Sequence, residues 1–173
     1  MLMDVSKDII KSCDTFKELI EPELAKILGG QIICIEGVSD PMYKQMDLLA
    51  GLDALHISDE GIRGIASRIQ YGAKDWSTFT IRMSRENGTA TEFDKRQWSI
   101  DNDYIYPYYT VQAYVHGNKL ISLAIARTAD IIKMVNDGYG VERTVKEDGY
   151  DATFRAVKWI DVDAQGHTIV IVR

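Results

Sequence analysis

Residues 52–71 have the sequence LDALHISDEGIRGIASRIQY, and this stretch decides the fold class. Two segments rich in aliphatic residues, 52–58 and 62–71, lie on either side of Asp59-Glu60-Gly61. Strand-forming segments separated by a short, acidic turn that contains glycine predict a β-hairpin. We therefore take a hairpin as the centre of the fold and work outward from it.

Before the hairpin, apolar residues recur at intervals of three and four, which predicts an N-terminal helix with one apolar face. Pro22 either kinks this helix or begins a second one. Gly29-Gly30 ends it, and residues 31–36 are predicted to form a buried strand. The apolar positions of the helix are Val5, Ile9, Cys13, Phe16, Ile20, Leu24 and Ile27.

After the hairpin, alternating apolar and polar residues predict further strands. In residues 78–85, Phe79, Ile81 and Met83 face one way and the polar residues between them face the other. We expect a turn at 86–88 that leads into a strand at 89–93, and a helix whose N-cap is Thr128. The remaining predicted strands are 109–115, 120–126, 152–159 and 168–172, the last two joined by a turn.

This order of elements predicts one α+β domain over residues 1–173, with an N-terminal helix packed on a mainly antiparallel, mixed β-sheet and a second flanking helix. Apolar residues make up 46% of the chain, which is enough for a core. Cys13 and Cys34 are expected to be buried apolar residues. No segment resembles a secretory leader or approaches the about 18 apolar residues that a membrane span needs, so we expect a cytoplasmic protein without membrane contact.

Composition and motifs exclude several classes of function. The net charge of −6 argues against a protein that coats nucleic acid through bulk positive charge, although a local basic surface remains compatible with a nucleic-acid enzyme. The three histidines have no spacing typical of a zinc site. The chain contains neither GxGxxG, nor a P-loop, nor a GxSxG elbow.

The hairpin carries the residues that point to chemistry. Asp53 opens its first strand, and Arg68 and Gln70 lie on its second strand. Oxygen ligands from two paired strands can converge on one divalent metal. A Gln-x-Asp-x5-Asp stretch, from Gln45 through Asp47, leads into the hairpin.

A helix before the sheet, an aspartate opening the second strand and a polar pair on the third strand make residues 5–71 resemble the PD-(D/E)XK nuclease superfamily. The Gln-x-Asp-x5-Asp stretch is similar to the entry segment of some members. The chain departs from the family at Arg68-x-Gln70, where the family has Glu/Asp-x-Lys. The resemblance implies a nuclease-like fold and hydrolysis of phosphodiesters in DNA or RNA with Mg²⁺ or Mn²⁺.

The resemblance also implies roles for individual residues. Asp53 would be a metal ligand, with Glu18 as the supporting carboxylate and Asp47 as a competing choice. Gln70 would help to position the water, and Arg68 or Arg82 would neutralise charge that develops on the phosphate.

Three functions remain open at this point. The first is the metal-dependent nuclease. Because an arginine replaces a carboxylate and the strand has no lysine, the second is an inactive module of a phage or other mobile element that binds nucleic acid or a protein partner. The third is an enzyme that holds a small anion on an arginine-rich sheet face. The sequence does not indicate the oligomeric state.

Several cations could contact nucleic acid. Polar residues on neighbouring strands predict either a solvated sheet face or the floor of a binding site, because a sheet face packed on a helix should be apolar. We expect the cations to lie near one hairpin, at residues 81–97. The candidate contacts are Arg82, Arg85, Lys95, Arg96 and Gln112.

Overall fold

The computed structural model describes residues 5–36, 38–46, 50–85, 88–147 and 150–173, and the fold is α+β as predicted. The helical elements are α1 (Val5–Thr15), a π-helical turn (Phe16–Ile20), α2 (Glu21–Leu28), α3 (Pro41–Gln45), α4 (Glu92–Asp101), α5 (Thr128–Asn136) and α6 (Trp159–Ala164). The strands are β1 (Gln31–Cys34), β2 (Ala54–Ser58), β3 (Gly61–Tyr71), β4 (Thr78–Arg85), β5 (Tyr109–His116), β6 (Lys119–Arg127), β7 (Val141–Glu147), β8 (Tyr150–Lys158) and β9 (Ile169–Val172).

The first sheet has six strands in the order β1-β2-β3-β5-β6-β9. The predicted hairpin is confirmed, since β2 and β3 pair with Ser58 opposite Gly61. β3 and β5 are parallel, and the other neighbours in this sheet are antiparallel. A parallel pair needs a crossover connection, and residues 72–108 provide it, with β4 and α4 inside it.

The second sheet has three strands in the order β4-β8-β7. The alternation predicted for β4 is confirmed, because Phe79 and Ile81 are fully buried in the core while Thr80 and Arg82 lie on the other face. The predicted connection of the last two strands by a simple turn is wrong. β8 belongs to the second sheet, β9 forms an edge of the first, and α6 lies between them. β7 was not among the predicted strands.

The N-terminal helical segment packs on one face of the first sheet. Its residues Phe16, Ile20 and Leu24 are buried against Ala54 and Ile65 among others. Pro22 lies in the first turn of α2, directly after the π-helical turn, and the backbone at Thr15, Ile20 and Glu21 stays right-handed helical. The helical segment is therefore continuous, and the proline follows a π-helical turn within it.

Both cysteines are buried in this core, as predicted, with their Sγ atoms 4.0 Å apart. Burial raises the pKa of the Cys34 thiol to about 12. Both thiols are therefore protonated at neutral pH and unreactive, because the thiolate is the reactive form of cysteine.

A second core lies on the opposite face, where α5 and α6 pack with the second sheet around Trp159 and Tyr114. The predicted N-cap of α5 is wrong: Arg127 is the capping position, and Thr128 is fully buried. The Thr128 hydroxyl instead shares a hydrogen bond of 2.8 Å with the hydroxyl of Thr110 on β5. Within the described ranges, no helix is both long enough and apolar enough to cross a membrane.

The strand predicted at 89–93 is also wrong, because a capping box begins α4 there. The Thr91 side chain accepts a hydrogen bond from the Asp94 backbone N–H, and the Asp94 carboxylate accepts one from the Thr91 backbone N–H. Two helix N–H groups are thereby satisfied, which favours a helix start over an extended strand.

Candidate functional site: a charged cleft between the two sheets

A cleft of about 240 Å³ lies where the first sheet, β4 and the beginning of α4 meet. The first sheet contributes the residue before β2 and the middle of β3 and β5. The charged side chains that line the cleft are Asp53, Arg68, Glu92, Lys95 and Arg96.

Strand geometry directs Asp53 and Arg68 into this cleft. Ala54 pairs with Ile65, and both side chains face the N-terminal helices. Asp53 is one residue away from Ala54 and Arg68 is three residues away from Ile65. Because side chains alternate along a strand, Asp53 and Arg68 face the opposite side of the sheet. The Asp53 backbone N–H donates to the Ile65 carbonyl at 2.9 Å, which holds the aspartate beside β3. Its Oδ2 atom accepts a hydrogen bond of 2.6 Å from the Ser67 backbone N–H. The carboxylate is thereby fixed by β3.

Helix α4 brings a second carboxylate to the cleft. Glu92 is its first residue, and its Oε1 atom forms an ion pair with the Arg68 guanidinium. Lys95 and Arg96 follow at i+3 and i+4, so all three side chains lie on one side of α4. Arg96 is only 7% exposed, which is unusual for an arginine without an electrostatic partner.

The charges in the cleft set the protonation of Glu92. Burial of the Glu92 carboxyl raises its pKa, but the guanidinium groups of Arg68 and Arg96 outweigh burial, so the net pKa lies below its ordinary value. Burial lowers the pKa of Arg96, and the carboxylates of Glu92 and Asp53 oppose that change. At neutral pH the Glu92 carboxyl is therefore ionised beside the guanidinium groups of Arg68 and Arg96.

Gln112 on β5 supplies an unused hydrogen-bond donor. It lies opposite Arg68 in the parallel register and is 1% exposed. Its Oε1 atom accepts a hydrogen bond of 3.2 Å from the Thr80 backbone N–H, while its Nε2 atom has no partner among the described residues. Buried amide groups are almost always paired in folded proteins. This unpaired donor lies in the wall of the cleft, where it is a candidate contact for an acceptor on a ligand.

The structure brings together five of the residues that the sequence put forward: Asp53, Arg68, Lys95, Arg96 and Gln112. They come from the hairpin, β5 and α4, whereas the predicted hairpin at 81–97 does not form. Three of the polar residues expected on neighbouring strands, Arg68, Thr80 and Gln112, line this cleft together.

Gln70 does not join Asp53 in this cleft. Asp53 lies beside Ser67, whereas Gln70 is three residues further along β3, about 10 Å at the rise of a strand. Gln70 lines a separate groove toward the second sheet. A water positioned jointly by Asp53 and Gln70 therefore has no geometric support.

The other predicted metal ligands are not gathered beside Asp53. Glu18 is exposed on the π-helical turn, whose buried residues pack on the opposite face of the first sheet. Asp47 lies outside the described residues. In the part of the chain that the structure describes, no three histidine, cysteine, aspartate or glutamate side chains form a group that could hold a metal ion.

Two of the predicted cations lie on β4. Arg82 approaches the cleft through its backbone N–H, 3.5 Å from the Glu92 Oε2 atom. Only the backbone of Arg85 is among the described atoms, at the end of β4. The Arg82 side chain is not part of the lining of the cleft.

Glu92 is the functional candidate that the sequence analysis missed. The strand predicted at 89–93 concealed it, although the Thr91-x-x-Asp94 pattern is a capping-box sequence. Recognising that pattern places Glu92 in the first turn of a helix, with Lys95 and Arg96 on the same side.

Comparison of the chain with protein-family models, with curated proteins and with solved structures gives no match in any of the three, so its function is inferred from the geometry of the cleft.

Proposed function

We propose that the cleft binds a phosphodiester of DNA or RNA and hydrolyses it with the help of a divalent metal ion. The observation that carries the proposal is that the acidic residues Asp53 and Glu92 share one small cleft with the basic residues Arg68, Lys95 and Arg96. Carboxylates suit a hard divalent metal, and a cluster of guanidinium and ammonium groups suits a phosphate.

The donor set fits Mg²⁺ or Mn²⁺ in its chemistry. Proteins usually hold Mg²⁺ with one or two carboxylates, and water and substrate phosphate complete the coordination. Asp53 and Glu92 would be the two protein ligands. When bound, the metal ion lowers the pKa of a coordinated water and stabilises charge on the phosphate.

The cations have a separate part in the reaction. Lys95 and Arg96 stand on the same side of α4 as Glu92, where they can neutralise negative charge that develops on the phosphate oxygens. Arg68 can exchange its contact with Glu92 for a bidentate contact with a phosphate. Gln112 can donate its free N–H groups to another phosphate oxygen.

The resemblance to the PD-(D/E)XK superfamily supports the same proposal in a modified form. Asp53 directly precedes the second strand, where that family has its aspartate. Arg68-x-Gln70 lacks the carboxylate and lysine of the family motif, but Glu92 and Lys95 of α4 bring those two functional groups into the same cleft.

A hydrolysis assay tests this function. The chain is incubated with Mg²⁺ or Mn²⁺ and with end-labelled single-stranded and double-stranded DNA and RNA. We expect cleavage of at least one substrate by the wild type, and a loss of about 100-fold or more in Asp53→Asn, because the negative charge of a carboxylate that would hold the metal ion is removed. Glu18→Gln, an exposed carboxylate on the opposite face, is the matched control and should cleave like the wild type.

Two results would contradict the proposal. One is the absence of cleavage of every substrate by a folded wild-type chain. The other is an unchanged rate in Asp53→Asn, with circular dichroism showing that the variant is folded.

A second function, binding of nucleic acid without hydrolysis, is favoured by the ion pair between Arg68 and Glu92. This pair occupies the second carboxylate with a guanidinium in the absence of a ligand. An inactive binding module would retain an affinity for nucleic acid that depends on Arg96 and shows no requirement for a metal ion. A protein partner also remains a prediction, to be sought by affinity capture if no nucleic acid binds.

A further inference from the structure

A second groove, of about 470 Å³, runs along the open face of the three-stranded sheet. We call it the second-sheet groove and define it by Trp76, Arg143, Phe154 and Lys158, which line it. Arg68 lines both this groove and the charged cleft, as does Thr80. The two depressions are therefore continuous with each other.

The groove is positive in a chain whose net charge is −6. Arg68, Arg143 and Lys158 line it, and none of the described lining residues carries a carboxylate. Arg68 contacts Glu92 on the cleft side. The positive surface of the groove itself is hence due to Arg143 and Lys158, and an anionic chain complements it.

The groove also offers apolar and aromatic surface to a ligand. Trp76 is 40% exposed, with the Arg143 guanidinium 5.1 Å and the exposed Lys74 ammonium 3.5 Å from its ring centroid. Val141 and Val145 flank Arg143 on the same face of β7 and are 55% and 48% exposed. Cations interleaved with exposed aromatic and aliphatic surface are typical of sites that bind single-stranded nucleic acid.

We propose that the second-sheet groove binds the single-stranded segment next to the phosphate held in the charged cleft. One base stacks on Trp76, and the phosphates of the segment contact Arg143 and Lys158. Lys74 is exposed and leaves the indole ring to a base at little cost. Only unpaired bases offer their faces for stacking, so the substrate is a single strand. The position of the reacting phosphate rests on the proposed function, whereas the binding of the strand does not.

Binding is measured without metal, so that hydrolysis cannot interfere. The full chain is titrated in EDTA into a fluorescein-labelled oligothymidylate, and the anisotropy gives the dissociation constant. We expect Trp76→Ala to raise this constant about tenfold, since one stacked base is lost. We expect Arg143→Glu to weaken binding and to reduce the slope of log K against log salt by at least about one, because a phosphate contact is lost.

Two controls match these variants. Trp98→Ala removes an indole that is 55% exposed on α4 and lines neither depression. Lys26→Glu reverses an exposed charge on α2, on the opposite face of the first sheet. Both should bind the oligonucleotide like the wild type, and an annealed duplex should bind more weakly than the single strand.

The proposal is overturned if no single strand binds, if Trp76→Ala and Arg143→Glu bind like the wild type, or if the controls lose as much affinity as the test variants. The two proposals can fail separately. If Trp76→Ala and Arg143→Glu bind the oligonucleotide like the wild type while the chain cleaves nucleic acid, the hydrolytic function is retained and binding in the groove is rejected. If binding depends on the groove residues but no cleavage occurs in Mg²⁺ or Mn²⁺, the binding role of the groove is retained and the hydrolytic function is rejected.

Discussion

The two faces of the first sheet are built from the same strands but differ in chemistry. On the face toward the N-terminal helices, Ile65 and Val111 are fully buried among apolar side chains. On the other face, the neighbouring residues Arg68, Thr110 and Gln112 line the charged cleft. β3 and β5 thus alternate between an apolar and a polar set of residues, although Gln112 is as inaccessible to solvent as the core.

This difference separates residues that stabilise the fold from residues that line the charged cleft. Burial of a polar group costs free energy unless the group is hydrogen-bonded, and Gln112 keeps an unpaired donor. The helix-side face stabilises the fold, while the cleft face retains polar groups that a ligand would satisfy. Substitutions on the two faces should therefore affect different measurements.

The largest effect is expected on the helix side. Phe16→Ala should lower the free energy of unfolding by about 3–5 kcal/mol, because a buried aromatic side chain is replaced by a cavity. Denaturation in urea measures the change. Binding of nucleic acid per folded molecule should stay unchanged. A loss of less than about 1 kcal/mol would show that the helix does not cover this face as described.

An intermediate effect is expected at Glu92. Glu92→Gln should cost about 1–3 kcal/mol at pH 7, because the variant deprives Arg68 and the buried Arg96 of a partly buried carboxylate. The pKa of Glu92 lies below its ordinary value in the folded chain, so its stabilising contribution is complete above about pH 4.3 and is lost as the pH falls further.

The difference in unfolding free energy between wild type and Glu92→Gln should therefore shrink below about pH 4. Glu142→Gln is the control, since Glu142 is 57% exposed and its ion pair with Arg155 should contribute under about 1 kcal/mol. If the difference in unfolding free energy between wild type and Glu92→Gln stays constant with pH, the folded chain does not stabilise the ionised form of Glu92.

The smallest effect on stability is expected at Gln112. Gln112→Met loses the contact with the Thr80 N–H but also removes an unpaired buried amide, so the free energy of unfolding should change by no more than about 1 kcal/mol. Affinity for nucleic acid should fall, as measured by the same anisotropy titration. Unchanged affinity together with a large loss of stability would assign Gln112 to the core instead.

The sequence predicted those parts of the fold that local patterns determine. The alternation in β4 predicted that Phe79 and Ile81 share one face of the strand, and that face lies in the core. The turn at Asp59-Glu60-Gly61 predicted the hairpin that carries Asp53 and Arg68. These elements depend on side-chain period and turn chemistry, which are readable over a few residues.

The sequence did not predict the parts that depend on tertiary context or on a cap. β7 carries charged residues between its valines, and residues 141–146 are exposed on both faces of the strand, so no buried apolar face marks it in the sequence. The separation of β8 and β9 into different sheets depends on α6, a short helix begun by Trp159 inside a predicted strand. Glu92 lies inside the segment predicted as a strand, and only the capping box of Thr91 and Asp94 identifies it as a helix residue.

The parallel pairing of β3 with β5 has a consequence for the order in which the charged cleft is assembled. Asp53 and Arg68 precede the crossover at residues 72–108, Glu92 and Arg96 lie within it, and Gln112 follows it. Closing such a long connection is slow compared with forming a local hairpin. During synthesis the hairpin emerges before α4 and β5, so a nascent chain that holds only the hairpin lacks Glu92, Arg96 and Gln112 and cannot form the complete charged cleft.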